Sequence, residues 1–116
     1  MSQEAGSPGL AEAVEAHLQL VALMNERRGR GLDVQSLLAL RHLSRTCSFR
    51  CPEAASMELT VALEDRAAEL YAESIKERPE LEFLERRIDK LLGALQAVIA
   101  RHAALDPDQR PRARYG

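Results

Sequence analysis

At 116 residues and 46% apolar, the chain has room for one domain, large enough to fold without a disulfide or metal staple. Aromatics are only 3%, so the core must come from leucine and alanine, eighteen of each, both strong helix formers. The net charge of −2 argues against a globally basic nucleic-acid binder, and Glu4, Glu12 and Glu15 break up any signal-like or membrane-spanning apolar run at the start.

Residues 1–7 are polar and punctuated by glycine and proline, and are expected to be flexible. Ser7 and Pro8 read as the N-cap and first residue of a helix, since proline loses no hydrogen bond there. Leu10, Val14, His17, Val21 and Met24 then recur every three or four residues as its inward face. Gly29 and Gly31 end it, and Arg27 and Arg28 suit the negative end of its dipole.

Asp33 is a suitable cap for a second helix carrying Val34, Leu37, Leu38, Leu40 and Leu43. Because it is apolar on more than one side, it is expected to be the most buried helix, fading near Thr46. Pro52 and Glu53 suit the first turn of a third helix. That helix carries one stripe of Leu59, Leu63, Ala67 and Leu70, a second of Val61, Ala68 and Ile75, and an acidic outer face.

The fourth helix has the clearest pattern: Leu81, Leu84, Ile88, Leu91, Leu95, Val98, His102 and Leu105 alternate spacings of three and four, with Leu92 and Ile99 widening the stripe. This is a seven-residue repeat, the seam of a bundle or coiled coil. Pro79 leaves two architectures. A turn there folds helices three and four into a hairpin, giving an all-α, antiparallel four-helix bundle over residues 8–105. A kink instead leaves one rod over 52–105 that forms a dimeric coiled coil. An interior proline costs about 3 kcal/mol, which favours the hairpin. Residues 106–116 form a proline-rich basic tail, expected to be flexible.

Cys47 and Cys51 are the only cysteines, four positions apart. With His42 they make three local ligands where a closed zinc site needs four, so packing is the expected role. A thiol or metal sensor is the alternative, because Cys51 next to Pro52 would sit at a helix start, where thiol pKa falls. None of the three histidines has a glutamate three residues before it, which argues against a bundle-core di-iron centre. His17 and His102 are expected to be hydrogen-bonded structural residues.

Arg27, Arg28, Arg30, Arg41 and Arg45 cluster against a single acid, Asp33, and offer a local nucleic-acid face for a small DNA-binding regulator. No aromatic is interleaved for stacking, and the five-residue, two-glycine connection is wrong for a helix-turn-helix. These arginines are expected instead to cap helix ends and pair with the acidic third helix. No phosphate loop, nucleophile elbow or metalloprotease motif is present, so neither catalysis nor a cofactor is expected. The excess of arginine over lysine, with abundant alanine, points to a GC-rich bacterial coding sequence, and unexported thiols point to the cytoplasm.

The favoured expectation is therefore a helical protein-interaction module, an adaptor, regulator or chaperone-like protein that binds another protein or itself as a homodimer. Its contact residues are expected on the broad fourth-helix stripe: Leu84, Ile88, Leu91, Leu92, Leu95, Val98 and Ile99.

Overall fold

A computed structural model describes residues 8–105 as four helices: α1 (Pro8–Glu26), α2 (Val34–Arg50), α3 (Ala54–Ser74) and α4 (Glu82–Ala104). The expected N-cap Ser7 and both expected flexible ends lie outside the described residues. Each helix packs on its neighbours in the chain, and α1 closes on α4. Short connections make successive helices antiparallel, so the result is an up-down-up-down bundle measuring 54 × 22 × 22 Å. Pro79 lies in connection 75–81, outside both flanking helices. The hairpin is therefore the architecture, and the kinked rod is not.

The core is narrow because small residues line it. Ala13, Ala16, His17, Leu20 and Met24 of α1 are buried, whereas Val14 faces outward, so the inward face is rotated from the expected stripe. α2 starts as expected, with the Asp33 carboxylate accepting the Ser36 N–H at 2.8 Å. It runs on through Arg50 instead of fading at Thr46, and it is not the most buried helix. Only Ser36, Leu40, Ser44 and Cys47 of α2 are buried, while Val34 and Leu38 are more than half exposed. The second apolar side of α2 points to solvent.

α3 buries Ser56, Thr60, Leu63, Ala67 and Leu70. α4 buries Glu85, Ile88, Leu92, Leu95, Val98, Ile99 and His102. At one end of the bundle, connection 27–33, which joins α1 to α2, also bonds to α3 and α4. Gly29 N–H donates to Glu85 at 2.7 Å, Arg28 forms a two-pronged pair with Asp89, and Leu32 N–H donates to Ser74 Oγ at 2.9 Å. Gly29 and Gly31 both adopt φ of 76°, a backbone region glycine enters without penalty.

Candidate interaction surface

The fourth-helix stripe does not face outward. Ile88, Leu92, Leu95, Val98 and Ile99 are buried in the chain's own core, and Leu84 and Leu91 pack half-buried against it. Helix three and helix one cover it, because α4 contacts both. The expected contact set is thus mostly intramolecular core, and the uncovered apolar surface lies elsewhere.

Nine large apolar side chains are exposed among the described residues, and six of them lie on α2, on α3 or at the C-cap of α3: Val34, Leu38, Phe49, Met57, Val61 and Ile75. Their spacing explains why they share one face. On α2, Val34, Leu38, Arg41, Arg45 and Phe49 recur every three or four residues along the side next to α3. On α3, Met57, Val61, Glu64, Ala68, Ala72 and Ile75 do the same along the side next to α2. Two antiparallel helices therefore present a two-lane surface, apolar at both ends and charged in the middle.

Glu64 forms that middle. Arg45 grips its carboxylate with two hydrogen bonds, 3.0 and 3.2 Å long, and Arg41 approaches to 4.0 Å. At one end, the Arg50 guanidinium lies 5.0 Å from the centre of the Phe49 ring and also pairs with Glu12. That stacking holds the ring at the edge of the surface. Further round α3, Glu58, Asp65 and Glu69 are exposed, so the expected acidic character is confined to part of the outer face of that helix.

A cavity of about 180 Å³ lies between α1 and α4, lined by Val14, Leu18, Gln96, Ile99 and two alanines. His17 forms its floor, with Nε2–H donating to the Leu92 carbonyl at 2.8 Å. His102 is 6% exposed on its side chain and bonds Glu53 through Nδ1 at 2.6 Å. Both histidines are thus hydrogen-bonded, and they bond to different partners at different levels of the bundle. Glu53, at the N-cap position of α3, spends its carboxylate on His102 rather than on its own helix.

The basic residues do not form one patch. Arg27 donates to the Gly31 carbonyl and pairs with Asp33, Arg28 pairs with Asp89, and Arg30 reaches the Glu26 carbonyl. Those three sit on the end connection, whereas Arg41 and Arg45 lie about two to three turns into α2 and share Glu64. Acids partner four of the five, which removes the free charge that phosphate binding draws on.

Cys47 and Cys51 are both fully buried and unlinked. Cys47 Sγ lies 3.7 Å from the Ala13 carbonyl, an S–H donor contact between α2 and α1. Cys51 is the C-cap of α2, not the start of a helix, and its carbonyl accepts the Ser56 hydroxyl at 2.5 Å. Burial pushes Cys47 up to about 12, with Cys51 adding to it; burial and then Glu53 push Cys51 up to about 11. The lowering that the sensor alternative called for is reversed, since a helix C-terminus and an apolar interior both disfavour the thiolate. His42 is exposed in a shallow groove with Glu12 and Glu15, away from the thiols. No group of three or more metal-ligating side chains converges among the described residues.

No protein-family model, curated protein or solved structure matches this chain. The functional reading therefore rests on the surface itself.

Proposed function

We propose that this protein is a helical protein-interaction module whose contact surface is the outer α2/α3 face. The observation that carries the reading is the placement of six of nine exposed large apolar side chains on that one face. Scattered apolar exposure is ordinary, but two apolar groups brought onto one face, either side of a charge pair, form the kind of exposed cluster that marks an interaction site. An adaptor, regulator or chaperone-like role follows from a surface that offers contact and no reacting group.

The test is a comparison of two baits. A tagged chain carrying Leu38→Glu and Val61→Glu, with helicity equal to the parent by circular dichroism, should lose every stoichiometric partner that the parent retains. Partners kept unchanged by the doubly substituted bait would sink the reading.

A further inference from the structure

We infer that the α2/α3 face pairs with the same face of a second copy, around a two-fold axis running parallel to the helices. The inference rests on the interaction reading above and specifies its occupant. It starts from the level of the Arg45–Glu64 pair, which fixes how α2 and α3 align. Val34 and Ile75 each lie eleven residues from that pair, toward the same end of the bundle. Leu38 lies seven residues from Arg45, at the level of Ala72, with Ala68 between Ala72 and the charged layer. Toward the other end, Phe49 lies at the level of Val61 and Met57. Val34 with Ile75, Arg45 with Glu64 and Phe49 with Val61 thus match level for level, while Arg41 falls at the level of Ala68.

A two-fold axis parallel to the helices lays α2 of one copy over α3 of the other, antiparallel and level on level. Arg41 and Arg45 then meet Glu64 of the second copy, and Phe49 meets Met57 and Val61. Leu38 meets the hollow left by Ala68 and Ala72. Every contact is satisfied twice, as a closed isologous interface requires. The other in-plane axis, across the helices at the level of that pair, stacks Glu64 on Glu64 and Arg45 on Arg45. Like charges meeting in a partly desolvated layer exclude that arrangement.

The area bounds the interface that this face can form. From Ile75 to Met57 the face runs about 27 Å at 1.5 Å per residue, and the bundle is 22 Å across. This gives on the order of 600 Å² per copy, slightly under the roughly 800 Å² per partner of a standard stable interface. A micromolar dimer is the expectation, monomeric at about 1 μM and dimeric by about 100 μM.

Sedimentation equilibrium of the full chain across that range tests this. The parent should pass from 12.9 kDa to twice that mass. Leu38→Glu and Val61→Glu should each stay monomeric at the highest concentration with helicity intact. Two charge variants probe the pairing: Arg41→Glu/Arg45→Glu makes the central layer wholly acidic, and Glu64→Arg makes it wholly basic. Each alone should be monomeric, and an equimolar mixture should restore the doubled mass. A parent that remains monomeric at about 200 μM, or a dimer indifferent to Leu38→Glu and Val61→Glu, overturns the inference. If the parent is monomeric yet the substituted bait still loses a foreign partner, only the occupant is wrong. If bait and parent retain the same partners, the interaction reading falls with it.

Discussion

Gly31 gives the sharpest test of how the bundle end is held. A Cβ built on it would lie 2.1 Å from Ser74 Oγ and 2.6 Å from Ser74 Cβ, whereas one on Gly29 meets nothing within 4 Å. Both glycines share φ of 76°, so alanine at either position carries the same left-handed backbone penalty, about 1–2 kcal/mol. Gly31→Ala must in addition displace Ser74, whose hydroxyl accepts the Leu32 N–H and donates to the Leu70 carbonyl. Losing the Leu32 bond strands a buried donor, at about 1–3 kcal/mol. The expected totals are about 1–2 kcal/mol for Gly29→Ala and about 2–5 kcal/mol for Gly31→Ala. At roughly 4 °C per kcal/mol for a domain of this size, thermal melts at 222 nm resolve the two easily. Ser74→Gly in the Gly31→Ala background removes the overlapping Cβ and should recover part of the loss. Equal melting temperatures for the two alanine variants would refute the close-approach argument, as would a Ser74→Gly double variant no better than Gly31→Ala.

Three further outcomes follow from the interior and the surface. In the folded protein at neutral pH, Ellman's reagent should leave both thiols unreacted, since burial pushes Cys47 to about 12 and Cys51 to about 11; both should react fully in denaturant, and rapid labelling of either without unfolding would revive a thiol-sensor role. Because the raised values favour the protonated thiol in the fold, their contribution is complete below the unfolded pKa near 9 and lost as pH rises through 11 to 12. Unfolding free energies from urea titrations should fall between pH 9 and 10 with a slope approaching 1.4 kcal/mol per pH unit per thiol, and Cys47→Ala/Cys51→Ala should flatten that slope. Glu53→Ala strands Nδ1 of the buried His102 and should cost about 1–3 kcal/mol; a double-mutant cycle with His102→Ala that gives no coupling would show the 2.6 Å bond to be energetically idle. Leu95→Ala, fully buried, should cost about 2–5 kcal/mol, while Val61→Ala in the dilute monomer should stay within about 0.5 kcal/mol. Comparable losses at both sites would place Val61 in a core.

Much of the fold was legible because helical punctuation is local. Asp33 as a cap, the glycines ending α1 and Pro79 between helices each act within a few residues, so the chain alone locates them. The close approach of Gly31 to Ser74 joins positions far apart in sequence and leaves no local trace. The interior was harder to read because its closest-packed positions are small or polar: Ala13, Ser36, Ser44 and Ser56 are buried, while larger residues on the same helices are not. Glu85 escaped notice although it keeps perfect phase with Ile88, Leu92, Leu95, Ile99 and His102. A carboxylate in an apolar register reads as an interruption until the Gly29 N–H that it accepts is in view.

Periodicity establishes which residues share a face, but it does not say what covers that face. The α4 stripe was read correctly as a stripe and wrongly as a surface, because its covering residues on α1 and α3 include the small side chains that pattern reading passes over. The converse holds for Val61, Ala68 and Ile75, whose heptad spacing was visible and whose exposure was not. Within α3 the contrast argues for purpose over accident. One exposed side carries Glu58, Asp65 and Glu69, the chemistry of a solvated helix; the adjacent exposed side carries Met57, Val61 and Ile75. Exposed apolar side chains contribute little to the stability of a monomer, and the same helix demonstrates that acids are tolerated one lane away. An apolar lane in register with a matching lane on α2 is accounted for once another surface removes both from water.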